Sequence, residues 1–270
     1  MKVLLLSGSH SRHLHFFSQL LGLDAEFSVI GMEREHQLPS APSSASARDQ
    51  QLFTRHFAER FETESHYFGN PTLRDTFADI PHHFCDRTEF NSHSSVEFVK
   101  RMQPDMAIVF GADMVRSPLF EALPELTINL HLGLSPWYRG AATLFWPFFF
   151  LEPQYAGSTF HQITESPDAG AILHQSTPRL TAGDGIHDVA AKTVQTSASE
   201  FADVLNGIIV GKKFDLVPQK SNGKLFLNAD FKPAHLRLIY EGFDNNIVDE
   251  FLLGRLGDRA PRLIRTEMQG

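Results

Sequence analysis

The chain has 270 residues, 42% of them hydrophobic and 21% charged, enough to bury the core of one large domain or one domain with an appendage. A formal charge of −8 argues against the basic surface that a general nucleic-acid binder needs. The single cysteine, Cys85, excludes an intrachain disulfide framework, and the short apolar run after Met1 is no secretory or membrane segment. A cytoplasmic protein is the expectation. The fourteen histidines are scattered, and their number alone supports no metal site.

Residues 3–6 form a continuous apolar run, the pattern of a parallel strand buried on both faces. Ser7, Gly8 and Ser9 follow, then Leu14, Phe16, Phe17, Leu20 and Leu21 at helical spacing. A strand, a small-residue turn and a helix can aim backbone N–H groups at an anion, which makes Gly8 and Ser9 candidates for phosphate contact. The turn lacks a full G-x-G-x-x-G, and most such turns bind nothing. Residues 27–32 read as a second strand, and 39–47, PSAPSSASA, as a low-complexity loop. Leu52, Phe53, Phe57 and Phe61 predict a helix over 49–61. A short strand at 82–85 turns His82 and His83 to opposite sides, which makes them poor joint metal ligands. A helix over 94–102 buries Val96, Phe98 and Val99 and ends at Pro104. Residues 106–110 are another buried strand, ending at Gly111. Ser117 and Pro118 then read as the cap and first turn of a short helix.

Strand 127–132 follows, with Ile128, Leu130 and Leu132 on one side and Asn129 and His131 on the other. Strands are expected again at 156–163 and 171–180, around a turn at 166–170. A long helix is expected over 184–209 from an acidic cap at Asp184. Short strands at 214–218 and 224–227 and helices at 235–243 and 247–253 complete the reading. The alternation implies an α/β fold with a doubly wound, mostly parallel, Rossmann-like sheet. The expected division is a catalytic domain over 1–211 and a small extension over 212–270 that packs on it or makes a homodimer. Ligands of such sheets sit beyond the carboxyl ends of the strands, where Gly8, Gly111 and His131 all fall.

Taken singly, Asn129 is a strand-edge amide, His131 a core histidine and Asp168 an Asx-turn residue. Their order and spacing argue otherwise. NLHLGLSPWYRG followed by AGSTFHQITESPDAGAILHQ resembles the folate-dependent formyltransferase family, which includes glycinamide ribonucleotide, methionyl-tRNA and amino-sugar N-formyltransferases. Asn129, His131, Pro136, Tyr138, Arg139, Gly140, Gly157, Thr159, His161, Asp168, Gly170 and Ile172 fill the family's slots, over about residues 105 to 180. Ser135 departs from the Leu usual before the proline.

The resemblance implies catalysis by Asn129, His131 and Asp168, with 10-formyltetrahydrofolate as formyl donor and no metal. Formyl transfer to an amine passes through a tetrahedral oxyanion, for which Asn129 Nδ2 and an imidazolium at His131 are donors. Asp168 is the candidate for the amine's proton, and a nearby carboxylate would raise the His131 pKa. The resemblance places the pterin along Phe110, Gly111 and Met114, the turn at Ser135 and Pro136, and the loop from Thr164 to Asp168. The substrate side takes Gly8, Ser9, Tyr138, Arg139 and His161. Arg139 either holds a phosphate or fixes its loop, and His161 either lines the cleft or faces solvent. Phe145 to Phe150 read as core.

The acceptor expected is a nucleotide-linked amino sugar, because the tail is too short for the β-barrel of the tRNA enzymes. Hydroxyornithine and glycinamide ribonucleotide are the other small amines in view. A hydrolase that deformylates the folate and a non-catalytic binding relative are the other classes.

Overall fold

The computed structural model describes residues 1–34, 38–164, 166–219 and 223–269. In chain order the elements begin with β1 (Lys2–Gly8), α1 (Ser11–Ser18), β2 (Glu26–Met32), α2 (Ala47–Phe68), α3 (Leu73–Phe77) and β3 (His82–Cys85). They continue with α4 (His93–Met102), β4 (Met106–Phe110), α5 (Leu119–Ala122), β5 (Thr127–His131), β6 (Tyr138–Gly140) and α6 (Trp146–Phe149). The last are β7 (Ser158–Gln162), β8 (Ile172–Ser176), α7 (Ile186–Ile209), β9 (Lys224–Phe226) and α8 (Ile247–Leu252).

Seven strands form one sheet in the order β3-β2-β1-β4-β5-β7-β8. The first five pair in parallel; β7 is antiparallel to β5, and β8 is antiparallel to β7. The apolar runs explain this order. Val3 to Leu6 in β1 and Met106 to Ile108 in β4 are fully buried, as central parallel strands covered by helices on both faces must be. After β3 the chain crosses to the other side of β1, so strand order reverses between β1 and β4. There the carboxyl ends approach closely. A Cβ at Gly8 would clash with the Gly111 carbonyl oxygen and press on His13 Nδ1.

One face of the sheet packs on α1 and α7 through a chain of aromatic rings. Phe16 contacts Phe110, Phe160 and Phe201, and Phe160 stacks on Phe201 at 4.2 Å between centroids. A second cluster joins Leu134, Tyr138, Phe145, Trp146 and Ile186 to Leu236, Ile239, Tyr240 and Val248 from the C-terminal segment. Those positions of the segment are buried against the main body, whereas Leu252 and Leu253 remain exposed. Its end runs along β8, where Gln175 N–H donates to the Ile264 carbonyl at 2.8 Å.

Several boundaries differ from those expected. Residues 214–218 are not a strand, and only an isolated bridge from Val217 to Ile172 remains. The expected helix over 235–243 is a 3-10 turn followed by a π-helical turn, Leu238–Gly242. Ser117 does not cap α5: its N-cap is Pro118, with no side-chain bond. Helix α7 starts two residues after Asp184, where Asp188 accepts the Gly185 N–H; Asp184 instead takes Thr181 and Lys192. Helix α2 begins inside the expected loop, capped by Ser46, and runs to Phe68. In the 145–150 stripe, Phe145, Trp146 and Phe148 are buried but Phe150 is 44% exposed.

The Phe160–Phe201 stack sits under the strand that carries His161. Phe201→Ala is expected to cost about 3–5 kcal/mol, read as a lowered urea midpoint at unchanged slope. A shift under about 1 kcal/mol would mean the stack is not part of the core that supports the site.

Candidate active site

The antiparallel register of β5 and β7 sets Asn129 opposite His161 and His131 opposite Thr159. Asn129 Nδ2 lies 3.2 Å from His161 Nε2. His161 Nδ1 is 2.9 Å from the Gln162 carbonyl oxygen, an acceptor only, so in the neutral ring Nδ1 carries the hydrogen and Nε2 accepts from the Asn129 amide. His131 is fixed in the same manner. Its Nε2–H donates to the Tyr138 carbonyl at 2.9 Å, which leaves Nδ1 bare. Asp168 Oδ1 sits 3.5 Å from His131 Nδ1 and 3.4 Å from His161 Nε2. Asp168 Oδ1 and the bare His131 Nδ1 thus face each other with no hydrogen between them, and His161 Nε2, engaged by the Asn129 amide, lies beside them.

Asp168 is held there by its backbone neighbours. Its φ is +49°, a left-handed conformation that Asp tolerates better than most residues. Gly140 N–H donates to Oδ2 at 2.9 Å, Arg139 Nη2 to the Pro167 carbonyl at 2.8 Å, and Gln219 Nε2 to the Asp168 and Gly170 carbonyls at 3.0 and 2.7 Å. Gly140 itself has φ +89°, and a Cβ on it would clash with the Phe226 carbonyl oxygen. Strand β6, absent from the expected elements, therefore positions the Asp168 turn.

Burial pushes the Asp168 carboxyl upward, but His131, His161 and the Gly140 N–H outweigh it and hold the group well below the usual carboxylate range. The expectation for His131 is corrected. Burial outweighs the upward pull of Asp168 and of the Tyr138 carbonyl, so the ring titrates below its ordinary value. The resting ring is neutral at pH 7. The groups titrate together, with Asp168 ionised and any bound proton on an imidazole.

The remaining expected site residues divide. His161 is 3% exposed and belongs to the cluster itself. Arg139 is buried and bonds the turn instead of pointing at a cavity. The Tyr138 ring turns away, with its hydroxyl donating to Glu152 at 3.0 Å. Ser135 N–H donates to Thr159 Oγ1 at 2.9 Å, and its own Oγ is buried with no partner among the described residues. Pro136 follows a cis peptide bond. Phe110 is buried, Gly111 accepts Arg34 Nε at its carbonyl, and Met114 is 48% exposed. Thr164 Oγ1 donates to the Ser166 carbonyl, and Glu165, in the expected pterin loop, lies outside the described residues.

Ala112, Val115 and Ile163, partly buried, pack against one apolar cluster. The backbone of Ala112 and Asp113 bonds no described residue, so its donors and acceptors are available to a ring edge. Among the described residues no group of three or more His, Cys, Asp or Glu could hold a metal ion. No helix among them is long and apolar enough to cross a membrane.

Two cavities are neighbours of each other, and neither is lined by Asn129, His131, His161 or Asp168. One, of about 980 Å³, opens at the carboxyl ends of β1 and β2 and is lined by Ser9, Arg12, Arg34, Arg60 and Arg87, with Phe61 on its rim. Gly8 does not line it. The other, of about 390 Å³, reaches Leu132 and Thr143, the first next to His131 in the chain. Both share Arg12, Phe57, Arg60 and Glu64. Arg12 bonds both oxygens of Glu64, and Arg60 Nε donates to it at 2.8 Å. The sequence reading missed this network. Its signal was His56, Arg60 and Glu64, four residues apart on one face of α2.

The formyl transferase family profile matches residues 50–205, more than half of the chain and the whole of the cluster. A methionyl-tRNA formyltransferase from Trichlorobacter lovleyi is 27% identical over 125 residues, 46% of this chain and 38% of the relative. One from Clostridium tetani is 25% identical over 120 residues, 44% of this chain and again 38% of the relative. The chain thus matches well under half the length of these curated relatives. Three solved structures share the fold. A phosphoribosylglycinamide formyltransferase from Anaplasma phagocytophilum aligns at TM-score 0.54 and 16% identity, over 84% of this chain and 96% of that one. A 4-N formyltransferase from Francisella tularensis aligns at 0.54 and 18%, over 85% and 77%. The formyltransferase PseJ from Anoxybacillus kamchatkensis, solved with UDP-4,6-dideoxy-4-formamido-L-AltNAc and tetrahydrofolate, aligns at 0.51 and 20%, over 92% and 96%.

The charged wall between the cavities has a measurable consequence. Burial would raise the Glu64 pKa, but Arg12 and Arg60 bring it down to about 2 from an ordinary 4.5. The stabilisation is present above pH 4.5 and is lost as pH falls toward 2. Its size is about 3 kcal/mol, so Glu64→Gln should abolish most of the difference in urea midpoint between pH 7 and pH 3 that this pair contributes. An unchanged difference would remove Glu64 from the network.

Proposed function

The chain belongs to the formyl transferase family, and from that premise we propose that it transfers a formyl group from 10-formyltetrahydrofolate to a primary amine. The observation that carries this reading is the convergence of Asp168 Oδ1, His131 Nδ1 and His161 Nε2 beside the Asn129 amide. Folate, when bound, supplies a formyl group on nitrogen. An amine attacking it must lose a proton, and the carbonyl oxygen must gain charge. Asp168 takes the proton, directly or through a water, and passes it to the bare Nδ1 of His131. The ring then becomes an imidazolium beside the new negative charge. As the tetrahedral carbon collapses, the C–N bond to the folate breaks and the ring gives that proton to the folate nitrogen. One N–H of Asn129 is held by His161, which aims the other at the oxygen. His161 is on this view a positioning residue.

The acceptor is a nucleotide-linked amino sugar. The arginine-lined cavity supports this, because its guanidinium groups suit a phosphate or diphosphate and the Phe61 rim suits a base. PseJ, solved with a formylated UDP-amino sugar, covers most of this chain in fold.

Asp168→Asn and His131→Asn should each lower the transfer rate by at least about 10²-fold while folate binding, followed by fluorescence titration, is kept. Near-normal transfer in either variant would sink the assignment. The pH profile gives a second test. Because the cluster must be free to accept a proton, kcat/KM should rise through a single acid limb centred below pH 6.5 and stay level above it. Asp168 pulls the His131 pKa up, so the residual activity of Asp168→Asn should show the limb moved to lower pH. A limb that moves to higher pH contradicts the arrangement.

A further inference from the structure

The smaller cavity ends on a buried His-Tyr-His arrangement that the reaction does not use. Tyr240 Oη lies 2.9 Å from His56 Nδ1 and 3.3 Å from His187 Nε2, and the two imidazole centroids are 4.5 Å apart. His56 and His187 are 6% and 7% exposed, and both line the cavity. Burial, reinforced by neighbouring positive groups, keeps both rings neutral.

Tyr240 Oη is the hydrogen-bond partner of the His56 ring among the described residues, at Nδ1. Where that hydroxyl accepts from Nδ1–H, the neutral ring presents a bare Nε2. No described residue bonds Nε2, which is open to the cavity that His56 lines. A ligand that brings an O–H can hydrogen-bond to it there.

We propose that this chamber seats the sugar ring of the acceptor, with a ring hydroxyl donating to His56 Nε2. The inference rests on the nucleotide-amino-sugar reading and specifies what part of that acceptor goes where. Phe57, Phe145 and Phe231 give apolar walls for the C–H faces of a pyranose. Arg12 and Arg60, shared with the larger cavity, lie where a diphosphate would leave the chamber. Thr143 lines it as well, and a Cβ on Gly133 would touch both Thr143 and His131 Nε2, which brings this wall close to the reacting groups. A volume of about 390 Å³ suits one neutral ring better than a whole nucleotide.

The test is calorimetric binding without any formyl donor, using UDP, TDP and their 4-amino-4,6-dideoxyglucose conjugates. Wild-type protein should bind a conjugate at least about 10-fold more tightly than the bare diphosphate, and His56→Phe should bring that ratio to within about twofold. His56→Gln, whose amide oxygen can still accept, should keep a ratio of about fivefold. Unchanged diphosphate affinity in both variants serves as the control for folding. An undiminished ratio in His56→Phe overturns the proposal, as does a wild-type ratio near one. Loss of diphosphate affinity along with the ratio would put the base in the chamber and equally overturn it. Formyl transfer to an amine panel is scored separately with donor added. Transfer without a His56 effect rejects the chamber alone, whereas a His56 effect without transfer rejects the reaction.

Discussion

The carboxylate of Asp168, ionised and out of bulk water between two imidazole rings, is the interaction around which this structure is arranged. An isolated buried carboxylate would protonate or pull water in. Here one oxygen is held by the Gly140 N–H, and the other faces His131 and His161 at nearly equal distance. Each supporting feature keeps that geometry. The antiparallel register brings His161 to Asn129, β6 supplies Gly140 and Arg139, and Gln219 ties down both sides of the turn. Because both rings donate their one hydrogen to backbone carbonyls, His131 Nδ1 is bare and His161 Nε2 is left to accept from the Asn129 amide.

Much of this was legible in the chain. The buried runs at β1 and β4 announced a parallel sheet, since only strands covered on both faces are apolar without alternation. Asn129 and His131 were readable as a pair because alternate residues of a strand share a side. What was not legible depended on contacts distant in sequence. Strand β6 has three residues and exists by pairing with β9, so no local pattern marks it. The depressed pKa of His131 comes from how completely the fold encloses the ring, which neighbouring residue types do not reveal. Arg139 read as a phosphate ligand or, by a small margin, a loop support, and its bond to the Pro167 carbonyl accords with the second. The histidines were hardest. His56 and His187 looked scattered, and they meet only because Tyr240 folds back from the C-terminal segment.

The division between the reacting cluster and the two cavities fits a general feature of group transfer. Chemistry requires a few rigid groups held within tenths of an ångström, while recognition draws on a larger surface. The family likeness bears on the cluster, which lies wholly within the matched residues. The arginine-lined cavity is partly outside it, since Ser9, Arg12 and Arg34 precede residue 50. The rest of its lining, Arg60, Phe61, Glu64 and Arg87 among it, lies inside the matched residues.

The central claim is that an amine, and not water, receives the formyl group. The direct measurement is mass spectrometry of candidate acceptors after incubation with 10-formyltetrahydrofolate, across nucleotide-linked 3- and 4-amino sugars, hydroxyornithine and glycinamide ribonucleotide. The account predicts a gain of one formyl group on a nucleotide-linked amino sugar, dependent on folate and abolished by Asp168→Asn. Folate turnover at full rate with no amine present, or formylation of none of these amines, would contradict it.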